Sequence, residues 1–198
     1  MATLPESLRI YMASDFAVRE AAEGVDPDFT EHGVYGIGPD DRVYVIDWWH
    51  GQVTADVWID ALLDLVKRHK PLCWFGEAGV IRRAIEPQLN RRCSELGVYF
   101  QQEWVAPIAD KAVRARACQA WASMGRVIFP ETDWAGRVVE QLIAFPAGEH
   151  DDAVDALSLL FLVIDNAHPA IVRTQDKKRE DRWQTSTGRA PVRAWRVK

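Results

Sequence analysis

Before residue 50 the chain has three short runs of β-branched and aromatic residues, and after residue 54 strand-like and helix-like segments alternate. That change of order constrains the fold more than any other feature. The runs are residues 8–16 (LRIYMASDF), Gly33 to Gly38 (GVYGIG) and residues 42–49 (RVYVIDWW), and each reads as a strand. Pro39-Asp40-Asp41 has the turn chemistry to join the second and third as a hairpin, so the sheet starts as an antiparallel meander. From Thr54 to His69, Val57, Ala61, Leu62, Leu65 and Val66 recur at helical spacing, and Thr54 is placed to cap the first turn. A strand at 71–75, a helix at Val80 to Leu96 and a strand at Val98 to Trp104 follow. Such alternation predicts parallel strands joined by right-handed crossovers. Helices are expected at Asp110 to Met124, Asp133 to Ala144 and Asp151 to Asn166, with a short apolar strand or loop at Val127 to Pro130. The whole is an α/β domain with a mixed central sheet of five or more strands and helices on both faces.

A chain of 198 residues can bury one sizeable core, and its composition, 48% hydrophobic and 27% charged, is that of an ordinary globular domain. No apolar run is long enough for a spanning helix and the N-terminus lacks a secretory pattern, so an intracellular protein with no membrane contact is expected. Cys73, Cys93 and Cys118 are odd in number and widely spaced, which predicts reduced core thiols. The net charge of −5 conceals an asymmetry: residues 173–198 hold nine Lys or Arg against three acidic residues, net +6, which leaves −11 for the preceding 172. Residues 1–172 are therefore expected to form the domain and 173–198 a basic tail without a packed core.

Acidic residues mark three places. Asp15 follows Tyr11-Met12-Ala13-Ser14 at the end of the first strand, where groups on an open sheet meet ligands; a turn cap is the plainer reading. Glu77 holds the matching place after the fourth strand, in Gly76-Glu77-Ala78-Gly79, although a Glu there could simply favour a helix dipole. In His150-Asp151-Asp152-Ala153-Val154-Asp155, three acids crowd the first turn of an apolar helix. One acid is explained by capping, with Asp151 best placed for it. Asp152 and Asp155, three apart, repel unless a positive charge lies between them. Hard divalent ions such as Mg²⁺ or Mn²⁺ supply it, because they take oxygen ligands from several elements. Asp15, Glu77 and Asp152, with Asp151 and Asp155 as further candidates, would hold two ions about 3.5–4 Å apart, an arrangement suited to in-line displacement at a phosphodiester. No Arg or Lys is expected among these acids.

The segment Phe145-Pro146-Ala147-Gly148-Glu149-His150-Asp151-Asp152-Ala153-Val154-Asp155-Ala156-Leu157 resembles the last-helix motif in the nuclease domain of the large terminase subunits of tailed bacteriophages. An Asp ending the first strand, an acid after the fourth, Lys111 with Arg114 and Ala115, and Gly125-Arg126-Val127-Ile128-Phe129-Pro130 extend the similarity over residues 8–166. The resemblance implies a ribonuclease-H-like fold and metal-dependent cutting of concatemeric viral DNA during packaging. Double-stranded DNA, an ATPase motor domain or subunit, a portal protein and a small terminase subunit are the implied partners, in the cytoplasm of an infected bacterial host. The chain departs from the family pattern in having no GxxxxGK[ST] phosphate loop. It also has an insertion from Val18 to Pro27, after which Asp28 is either an auxiliary carboxylate or a solvated loop acid.

DNA contacts near an acidic centre need cations, for which Arg82, Arg83, Lys111 and Arg114 are candidates beside their plainer reading as solvated helix charges. His150 is either an auxiliary group or a cap. Most tryptophans lie within strand or helix patterns and are expected in the core rather than stacked on bases. A junction resolvase or transposase-like nuclease of the same fold, or a non-catalytic docking module of the packaging machine, are the competing functions. Collecting like charges at one point argues against the last.

Overall fold

The computed structural model describes residues 4–16, 29–106, 111–148 and 151–164. The strands are β1 (Arg9–Asp15), β2 (Thr30–Ile37), β3 (Val43–Gly51), β4 (Cys73–Glu77), β5 (Gln102–Val105) and β6 (Val127–Ile128). The helices are α1 (Ala55–His69), α2 (Val80–Leu96), α3 (Lys111–Ser123), α4 (Asp133–Ala144) and α5 (Asp152–Leu162). They form one six-stranded mixed sheet in the order β5-β4-β1-β2-β3-β6. β1–β2 and β2–β3 are antiparallel, whereas β1–β4, β4–β5 and β3–β6 are parallel. The sixth strand is the short apolar segment after α3, two residues long, pairing with the start of β3.

The period-two pattern of each strand divides its side chains between two cores. Met12, Val34 and Trp74 pack with Trp58, Ile59, Leu62 and Leu89 under α1 and α2. Tyr11, Ala13, Tyr35 and Phe75 pack with Cys118, Val138, Leu157 and Leu160 under α3, α4 and α5. α5 is the central helix of that second layer, packed on β1, β2 and β4 and buried along nearly its whole length. An apolar helix with no solvent face fits only such a place.

In α1 the buried face is Trp58, Ile59, Leu62, Leu63, Leu65 and Val66, while Val57 is exposed. The expected stripe starting at Val57 is therefore rotated by one residue, because Trp58 carries the larger apolar surface into the core. Thr54 occupies the N-cap position without a side-chain cap bond. The β2–β3 hairpin closes through the Asp41 amide to the Gly38 carbonyl (3.2 Å) with Asp41 left-handed at φ 55°. All three cysteines are free and buried. Burial pushes the Cys73 thiol up to about 11 and the Cys118 thiol up to about 12, so neither is a nucleophile at neutral pH.

Beneath the central helices, the Tyr35 ring lies over Gly33. A Cβ built at Gly33 would stand 2.0 Å from the Tyr35 hydroxyl and 2.8 Å from the Trp48 ring. Neither ring can give way, since Tyr35 is fully buried and Trp48 nearly so. Gly33→Ala is expected to lower stability by about 1–3 kcal/mol or more through overpacking, seen as a lower urea midpoint. An unchanged midpoint would show that the Tyr35 ring has room to move.

Candidate active site

Strand register sets the site. Tyr11 and Ala13 belong to the α5-side core, so Asp15, two residues on, points to the same face. On β4, Cys73 and Phe75 do the same, which places Glu77 on that face too. Ser14 pairs with Gly76, so Asp15 and Glu77 come next, side by side on adjacent parallel strands. Glu77 is the last residue of β4 rather than one beyond it. Continuing across the sheet, Asp15 pairs with Glu31 and Glu31 with His50. One transverse row on the α5 face therefore reads Val105, Glu77, Asp15, Glu31, His50.

The third acidic element enters from above. Asp152 opens α5 and is buried (6% exposed), while Asp151 and Asp155 are half-buried. A carboxylate oxygen of Asp152 accepts the Phe29 amide at 3.4 Å, which ties the helix start to the entrance of β2. Asp151 sits at the N-cap but makes no side-chain cap bond. The expected capping role falls partly to Gln141 of α4, whose side-chain oxygen accepts the Ala153 amide at 3.1 Å. Asp152 thus gains a fixed position from two neighbouring elements.

Glu31 was not foreseen as a site residue. It is fully buried, and Arg137 of α4 grips its carboxylate through Nη1 to Oε1 at 2.8 Å and Nη2 to Oε2 at 3.0 Å, with Trp48 Nε1 donating as well. Burial raises the Glu31 pKa, and the hydrogen bonds and charge of Arg137 oppose that rise. Arg137 thus brings a cation to the acidic row at Glu31, an acid outside the expected set of Asp15, Glu77 and Asp152. The single-sequence signal was slight: Thr30-Glu31-His32 reads as a polar stretch, and its partner lies 106 residues away.

The remaining candidates divide. Arg82 and Arg83 ride on α2, against the opposite face, and Arg82 is committed to Glu86 (2.9 Å) and to the Trp104 ring (5.6 Å). That supports their reading as solvated helix charges. Trp48 and Trp74 are core residues as expected, though both indole N–H groups donate to polar partners. Asp28, His150 and the basic tail from residue 173 lie outside the described residues, as do the side chains of Lys111 and Arg114.

Three carboxylates on one face, from two strand ends and a helix start, offer the hard oxygen donors that Mg²⁺ or Mn²⁺ takes. That donor chemistry fits a divalent ion. Among the described residues, however, no three His, Cys, Asp or Glu side chains converge as a finished ligand set. No described helix is long and apolar enough to cross a membrane.

No protein-family model matches the sequence, and no curated protein matches it. Solved structures do. The large terminase of thermophilic bacteriophage D6E in complex with ADP superposes with a TM-score of 0.59 at 12% identity, over 81% of this chain and 41% of that one. The large terminase nuclease of thermophilic phage G20c with bound magnesium gives 0.57 at 14% identity, over 80% and 82%. The large terminase nuclease domain of Thermus phage P74-26 gives 0.55 at 12%, over 82% and 83%. The chain thus spans less than half of the D6E protein and matches the other two nearly end to end. The likeness shows the fold, which is the ribonuclease-H-like arrangement of large terminase nuclease domains.

Proposed function

We propose that the chain is a metal-dependent DNA endonuclease of the large-terminase kind, cutting concatemeric viral DNA during genome packaging in an infected bacterial cell. The observation that carries this reading is the register that sets Asp15 beside Glu77 on the face where α5 brings in Asp152. The likeness to a terminase nuclease crystallised with magnesium supports it. An ATPase motor, a portal protein and a small terminase subunit would be its working partners, because the chain has no phosphate loop of its own.

Asp15, Glu77 and Asp152 would hold the ions, with Asp151 and Asp155 beside them on the α5 turn. When bound, two divalent ions supply hydroxide at neutral pH and offset charge on the attacking and leaving oxygens. The chain itself supplies placement. Two paired strands fix the backbones of Asp15 and Glu77, and the Phe29 amide with the buried α5 fixes Asp152. Arg137 neutralises Glu31, so the row presents the charge of its unneutralised acids to incoming cations rather than a larger repulsion.

Supercoiled plasmid incubated with the protein and Mn²⁺ or Mg²⁺ is expected to be nicked or linearised, and excess chelator is expected to stop the reaction. Cleavage that persists in chelator would refute metal dependence.

A further inference from the structure

We propose that Arg137 is a phosphate-binding group for the DNA strand entering the site, and that Glu31 is its built-in counter-charge. The inference rests on the nuclease reading above and names the side of the acidic row along which the strand lies.

Position comes first. Asp15 and Glu31 are directly opposed on antiparallel strands, so their Cβ atoms are about 5 Å apart. The Arg137 guanidinium is 2.8–3.0 Å beyond the Glu31 carboxylate. It therefore stands roughly 10 Å or less from the carboxylate of Asp15, within reach of a phosphate next to the one being cut. Glu31 engages only two of the five guanidinium N–H donors, and the Arg137 side chain is 27% exposed. Its Nε is buried without a partner, so the donors left for an incoming group are the second N–H of Nη1 and of Nη2. A planar guanidinium held along one edge by a buried carboxylate keeps a fixed orientation, so its remaining N–H groups point in set directions toward a phosphate oxygen.

The surroundings agree on the direction. At the row's end, exposed His50 faces Glu31, and its pKa is lowered by burial and by the positive charge of Arg137. His50 and Arg137 thus put two nitrogen-bearing side chains at the β2–β3 end of the row. On the β4–β5 side, Arg82 lies against the opposite face of the sheet, bonded to Glu86 and over the Trp104 ring, and brings the row no cation. A strand leaving Asp15 meets the uncommitted donors of Arg137 on the first side.

The test is binding of a fluorescent DNA duplex by the full chain in chelator, where no cutting occurs, across a range of salt. Arg137→Gln is expected to weaken binding about tenfold at low salt and to reduce the log–log salt slope by about one. Glu31→Gln removes the counter-charge and is expected to tighten binding several-fold. These opposite signs separate a phosphate contact from a structural pair, whose loss weakens binding from either side. Equal weakening in both variants, or no change in Arg137→Gln, would overturn the inference while wild-type binding and cutting leave the nuclease reading standing. A wild-type chain that neither binds nor cuts DNA overturns both. Should Glu31→Gln melt below the assay temperature, Arg137→Lys decides: a retained salt slope supports the contact, and a slope reduced as in Arg137→Gln refutes it.

Discussion

Asp15→Asn is expected to cut the rate of DNA cleavage by at least about 100-fold, because loss of groups merely supporting a metal ligand already costs 10–100-fold. The fold should not suffer. Asp15 ends its strand, and asparagine keeps its size and its backbone pairing with Glu31. The melting temperature should stay close to that of the wild type. Asp152→Asn is expected to match it in activity for a different structural reason. Its side-chain oxygen still accepts the Phe29 amide, so α5 stays in place while a charged donor is lost. Undiminished cleavage in either variant, measured on supercoiled plasmid with Mn²⁺, would remove that carboxylate from the site. Loss of activity with a collapsed melting temperature would instead mark it as structural.

Acid is expected to unfold the protein early, and His32 is the reason. It lies on the face opposite the acids, fully buried, with Nδ1 2.7 Å from the Ser14 hydroxyl and Nε2 3.0 Å from the Trp58 carbonyl. Because a carbonyl only accepts, Nε2 carries the proton; Ser14 then donates to Nδ1 while accepting from Trp74 Nε1 at 2.8 Å. A second proton on Nδ1 would reverse the bond to Ser14 and deprive the Ser14 hydroxyl of its acceptor in the core. Burial lowers the pKa of His32 to about 4 from an ordinary 6.5, with the Trp58 bond opposing. The unfolded chain therefore binds the proton first as pH falls below 6.5, and stability declines from there until the folded pKa is reached. The total loss is on the order of 3 kcal/mol. Urea titrations from pH 7.5 to 4.5 should show this decline in the wild type and a shallower one in His32→Gln, whose amide can still donate toward Trp58. Identical pH dependence in the two proteins would acquit His32.

The large pattern was legible because it rests on local signals. Alternation gave the α/β class, and the bounds of α2 and α4 agree with the sequence reading residue for residue. Gly79 and Gly97 flank the first, and Thr132 caps the second by accepting the Ala135 amide. Long-range satisfaction was not legible. Thr30, Glu31 and His32 precede the second strand expected from Gly33, yet all three are buried in β2. Glu31 depends on Trp48 and Arg137, and His32 on Ser14 and Trp58, none of them adjacent in sequence. Polarity implied solvent there because the partners could not be seen. Asp15 and Glu77 stand out as candidates by their strand ends, whereas the place of Glu31 beside them needs the register that only the paired strands supply.

On the nuclease reading, the place of α5 bears on when the chain would become able to act on the DNA around it. α5 is the last helix among the described residues, yet it fills the centre of one layer and carries Asp152. While the chain is being synthesised, Tyr11, Ala13 and Phe75 lack the central part of their cover until residues 152–162 leave the ribosome. Core closure and completion of the acidic site are then a single late event. A chain broken off before that point would lack both its central helix and Asp152, so on the nuclease reading proposed above no partly made product would cut.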